Sequence, residues 1–230
     1  MTGLQALDRV LRGEAEAGLE VPVGSVARTC LGLAAGYGLC MGTSGLFHPD
    51  GPEYRQLIAS AGKVPALFGV TLGVTFPSLY VANVLFGARL RFGDLLRLVL
   101  AALAVLVAVL AALGPIVAFF TATTSSYPFV LLLNVAVFAG CGFLGMRALH
   151  QSLARVVTLQ QQADAPNRRP AAAVFAVWTG LFGLVGAQTG WVLRPFIGNP
   201  DLPFTWFRPR EGSFFDGVAR AVRLAVVNEP

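Results

Sequence analysis

Apolar runs long enough to cross a membrane alternate with short polar connections along this chain. The clearest is 98–120, LVLAALAVLVAVLAALGPIVAFF, which holds 23 residues without a charge. At about 1.5 Å per helical residue, such a run covers a hydrocarbon core roughly 30 Å thick. Four more stretches share its character, over 29–47, 64–86, 129–146 and 171–193. The pattern predicts an all-α fold, a polytopic integral membrane helix bundle of about five transmembrane helices spread over 25–194.

Residues 1–24 differ from these runs. Leu4, Leu7, Val10 and Leu11 recur at helical spacing among Asp8, Arg9, Arg12, Glu14 and Glu16. This spacing predicts a cytoplasmic amphipathic helix, lying on the membrane surface or packed on another domain. With no apolar h-region, it is not read as a cleavable signal peptide.

Within the first crossing, Gly32 with Gly36 and Gly38 with Gly42 stand four apart. Small residues at that spacing let helix backbones approach, either within one subunit or between subunits. The second crossing follows a polar loop, HPDGPEYRQLIASAGK, and carries Pro65, Pro77, Thr71, Thr75, Ser78 and Asn83. Pro77 predicts a kink whose freed carbonyls the Thr75 and Ser78 hydroxyls are placed to satisfy. Gly114 and Pro115 predict a bend late in the third crossing, and the uncharged Thr121–Pro128 connection predicts a tight hairpin.

Basic residues set the orientation, because cytoplasmic loops retain Lys and Arg. Arg89, Arg91 and Arg97 fill the second connection and Arg147, Arg155, Arg168 and Arg169 the fourth, whereas the third has none. Five crossings then leave the N-terminus cytoplasmic and the C-terminus outside. Arg194, Arg208, Arg210, Arg220 and Arg223 run against that assignment, and a re-entrant second segment would change it.

The tail, 195–230, is dense in aromatic residues and proline. Trp191, Phe196, Phe204, Trp206, Phe207, Phe214 and Phe215 lie among Pro195, Pro200, Pro203 and Pro209. An interfacial, non-helical segment is predicted, followed by a short helix over 213–227. Trp191, Arg194, Phe196, Trp206, Phe207, Arg208 and Arg210 are its candidate lipid or partner contacts. Alternatives are an aromatic cap over the bundle, a headgroup or anion site at the arginines, and a subunit contact.

Composition narrows the function classes. Charged residues make up 13% and hydrophobic ones 55% of the chain, with mean hydropathy +0.67. The net charge of +5 is spread over loops and does not predict nucleic-acid binding; anionic lipid is the simpler partner. Cys30, Cys40 and Cys141 lie in apolar runs and read as small hydrophobes. His48 and His150 fall on opposite sides in this topology, and Asp50 with Glu53 lacks a supporting motif. No phosphate loop or nucleophile elbow is present. Catalytic, cofactor and metal residues are therefore predicted as none, and the expected partners are membrane lipids and other subunits.

The run QTGWVLRPFIGNPDLPFTWFRPREGSFF resembles uncharacterised bacterial multi-pass membrane proteins in which Gln-x-Gly-Trp-x-Leu-Arg-Pro-Phe ends the last crossing. The layout, with KVPALFGVTLGVTFPSLYVANVL, is loosely similar to the Yip1-type membrane family, whose eukaryotic members take part in vesicle trafficking. The first resemblance implies a bacterial inner-membrane location and neither implies a catalytic residue.

Two functions fit these features. One is a non-catalytic structural or interaction component that self-oligomerises or joins a membrane complex. The other is an oligomeric channel lined by polar residues of the second and fourth crossings, Thr71, Thr75, Ser78, Asn83 and Asn134, with Gln188 of the fifth as a further intramembrane polar candidate. A polar stripe facing a symmetry axis favours the channel; one facing the subunit interior only satisfies the bent backbone.

Overall fold

A computed structural model of the chain describes residues 2–12, 22–47, 51–85, 91–124, 126–160, 169–198, 204–208 and 212–227. It is all-helical, with no strand among the described residues. The elements are α1 (Gly3–Leu11), α2 (Val23–Gly42), a 3₁₀ turn (Thr43–Phe47), α3 (Tyr54–Leu85), α4 (Phe92–Thr123), α5 (Tyr127–Gln160), α6 (Arg169–Leu193) and α7 (Phe214–Val227). Among the described residues, three helices are long and apolar enough to cross a membrane, over Tyr54–Val84, Phe92–Thr123 and Tyr127–Ser152.

Each of the five predicted crossings corresponds to a helix, with shifted bounds. α3 begins at Tyr54, ten residues before the predicted start at Val64, so RQLIASAGK is helix rather than loop. No proline stands between Pro52 and Val64, and the polar residues Gln56, Ser60 and Lys63 fall on one face that is covered by the tail. α5 continues past Met146, placing Arg147 and His150 in helix instead of a loop. α2 starts at Val23 directly after Pro22, a residue suited to a helix entrance because its missing N–H has no partner to lose there.

In space the long helices run in the order α5, α4, α2, α3, α6, and a lighter contact joins α5 to α6. α4 is the most deeply packed element, burying Leu95, Leu98, Val107, Leu110 and Val117 completely. Leu98, Val99 and Ala102 of α4 meet Phe76 and Leu79 of α3, Leu149 of α5 and Trp178 of α6 in a second apolar cluster. α1 packs Ala6 and Leu7 against the same core as α2 and α4. Its Thr2 and Gln5 form the reciprocal N-terminal cap.

The two glycine pairs of α2 separate sharply. Gly38 and Gly42 lie against α3: a side-chain carbon at Gly38 would run into the Ser60 carbonyl, and one at Gly42 would lie 2.8 Å from Leu57 Cα. Gly32 and Gly36 are exposed, with open space where a side chain would sit. Close backbone approach thus explains only the second pair. Accordingly, Gly38→Ala is expected to lose about 1–3 kcal/mol of stability through overpacking, whereas Gly36→Ala loses none. Thermal unfolding midpoints of both variants in one detergent check this, and equal midpoints would refute the α2–α3 contact.

Candidate functional site

The tail turns back onto α3 instead of leaving the bundle. Gln56, Ser60 and Lys63 occupy one side of that helix at i, i+4 and i+7, and all three are buried. Lys63 Nζ donates to the Pro195 carbonyl at 2.8 Å and the Trp206 carbonyl at 2.6 Å. It also lies 5.3 Å from the centre of the Phe207 ring. Gln56 Nε2 donates to the Phe196 carbonyl at 3.0 Å and to Ser60 Oγ at 3.1 Å. The Ser60 hydroxyl has the Phe196 and Gln56 carbonyls within reach, and its single proton serves one at a time.

Secondary contacts complete this clasp. Gly198 N donates to Ser44 Oγ at 2.9 Å, and Arg208 N to the Arg194 carbonyl at 3.3 Å. The Arg194–Pro195 peptide bond is cis. Arg194 lays its guanidinium 3.7 Å over the Trp191 ring, whose indole N–H donates to the Gly212 carbonyl at 3.0 Å. Next, α7 opens with a capping box in which the Ser213 N–H and hydroxyl both donate to Asp216 Oδ2 at 2.8 Å. Those bonds hold the Asp216 carboxyl below the usual carboxylate range.

The predicted contact residues are thereby divided. Phe196 packs against the bundle core, with Ile197 buried beside it. Trp206 and Phe207 are more than half exposed. Trp191, Arg194 and Arg208 are half-buried. Arg210 lies outside the described residues, as do His48, Asp50, Pro200, Pro203 and Pro209.

The intramembrane polar candidates split the same way. Thr71, Thr75, Asn83 and Asn134 are buried within the chain, Gln188 is half-buried and Ser78 is exposed. Asn134 Oδ1 accepts from the Tyr37 hydroxyl at 2.8 Å, and its amide donates to the Val130 carbonyl at 2.9 Å. The Thr75 carbonyl accepts from the Trp178 indole at 2.9 Å and from the Ser78 hydroxyl at 2.6 Å. Thr75 Oγ1 donates to the Thr71 carbonyl at 2.8 Å. Pro77 instead removes the donor for the Gly73 carbonyl, so the predicted repair by Thr75 and Ser78 is directed to other carbonyls. Thr71 faces Gly186 of α6.

Sequence reasoning missed Gln56, Ser60, Lys63 and Tyr37. The i, i+4, i+7 spacing of the first three was legible, but their polarity placed them in a loop. Tyr37 carried no signal beyond being a polar-tipped residue inside an apolar run. No group of three or more His, Cys, Asp or Glu suited to a metal occurs among the described residues.

What this arrangement does chemically is satisfy backbone. Three buried donors on a helix take up the carbonyls of a segment without regular structure, which would otherwise remain unpaired. No family model matches the chain, nor does any curated protein or solved structure. Lys63→Met is expected to strand the Pro195 and Trp206 carbonyls, at about 1–3 kcal/mol for each group left unmet. A lowered unfolding midpoint with faster amide exchange over 204–208 is the predicted result; unchanged values in both would remove the clasp.

Proposed function

We propose that this chain is a five-crossing, non-catalytic component of the cell membrane, a structural or interaction subunit that associates with itself or with a larger membrane complex. α2 and α6 supply the two crossings beyond the three long apolar helices, with the N-terminus cytoplasmic and the C-terminus outside. The bacterial inner membrane is the proposed setting, and lipids are direct partners through Trp206 and Phe207.

The carrying observation is where the polar side chains point. Thr71, Thr75, Asn83 and Asn134 are buried inside one subunit, while Val70, Val74, Val81 and Val84 of α3 are exposed. Ile116 and Phe119 of α4, Phe143 of α5 and Val177 of α6 are exposed as well. An outward surface of this kind suits lipid or apolar protein partners, and it leaves little polar lining for a conduction path between subunits.

The test pairs two measurements on one detergent-solubilised sample. Light scattering with the detergent subtracted gives the protein mass, and planar-bilayer recording then reports conduction. A silent preparation that co-purifies with itself or with other membrane proteins is the expected outcome. Discrete currents from a ring-sized oligomer would overturn the proposal in favour of a channel.

A further inference from the structure

α7 carries two apolar faces, and the bundle covers only one of them. At about 100° per residue, Phe214, Gly217, Val218, Ala221 and Ala225 share one side, where α7 packs on α5 and α6. Ala221 is buried, and Gly217 sits so close to the Trp191 ring that a side-chain carbon would collide with it. α7 is therefore fixed against the end of α6 in a defined rotation.

Continuing round the helix, Phe215, Val222 and Val226 form a narrow stripe spanning about 40°. They are 56%, 44% and 70% exposed. Ala219 adjoins them and is exposed too. Beyond this stripe come Arg223, Asp216 and Arg220, all exposed. Leu224, 45% exposed, lies between Arg220 and Gly217 on the opposite side, so the apolar stripe is one sector between the protein contact and the charged residues, and Leu224 is a single apolar side chain outside it.

We infer that the uncovered stripe is occupied by the headgroup and upper acyl region of the bilayer, with α7 lying in the membrane plane beside the bundle. This inference rests on the spanning reading of the long helices given above. Three features select lipid as the occupant. α7 begins beside the end of α6, where the Trp191 indole donates to the Gly212 carbonyl, and the exposed Trp206 and Phe207 belong to the same tail, residue types that favour the headgroup level. Arg223 borders the stripe on the side away from the bundle, where its long side chain reaches lipid phosphates while the apolar sector points inward, and Arg220 lies further round toward water. α6, on which α7 packs, is itself apolar on its exposed side, with Leu184 and Val192 uncovered.

Nitroxide scanning of the full chain in nanodiscs of phosphatidylcholine and phosphatidylglycerol tests the assignment. Cys30, Cys40 and Cys141 are replaced by alanine, and single labels are placed at Phe215, Arg220, Val222 and Val226. Val74 of α3 is labelled separately as the spanning control. Collision with oxygen should dominate at Phe215, Val222 and Val226, and collision with a water-soluble nickel chelate at Arg220, giving a period of about 3.6 residues. Chelate-dominated relaxation at Val222 and Val226 with Val74 still in lipid would overturn the α7 assignment alone. Chelate access at Val74 would overturn the spanning reading and the inference together. Spin–spin broadening at Val222 that disappears on dilution with unlabelled protein would place a second copy on the stripe and also overturn it.

Discussion

A hydroxyl, amide or carbonyl enclosed by apolar helices keeps its full desolvation penalty unless its partner comes from the same chain. In this protein that constraint organises two stretches of α3, its first turns and its middle. Toward its start, Gln56, Ser60 and Lys63 take up the carbonyls of the returning tail. Further along, Thr71, Thr75 and Trp178 of α6 form a chain of hydrogen bonds that reuses helix carbonyls as acceptors. α3 is consequently the element through which the tail, α2 and α6 are all located.

The two kinds of packing depend on each other. Gly38 and Gly42 bring α2 onto α3 at the level of Leu57 and Ser60, the same turns that hold the tail on another side. Ser44, just after α2, then meets Gly198 N. A segment with four prolines near it and no regular hydrogen bonding is in this way held by side chains from two neighbouring elements. The exposed aromatic residues Trp206 and Phe207 are fixed in position without themselves being buried. Arg194 on Trp191, and Trp191 against Gly217, carry that fixed geometry on to α7.

Much of the helical layout was legible in the sequence, because uncharged runs of 18 or more residues leave few alternatives to helix. The 98–120 run became α4 with three to six further residues at each end. The short C-terminal helix over 213–227 matches α7 to within one residue. What the sequence concealed were the polar positions that are buried by long-range contact. Ser60 and Lys63 look like loop residues until the partner, 130 or more positions away, is known. Likewise, Gly32 and Gly36 have the same spacing as Gly38 and Gly42, and only the neighbouring helix decides which pair is a contact. The burial of Thr71, Thr75 and Asn83 within the chain was equally a matter of tertiary structure.

The most direct measurement is aqueous thiol labelling of single cysteines placed at Thr71, Thr75 and Asn83 in intact membranes, with the native cysteines replaced. If these polar positions are enclosed within one subunit, a charged maleimide added to both sides leaves all three unlabelled until the protein is denatured. Labelling of all three in the native membrane would show a water-filled path along α3 and contradict the account.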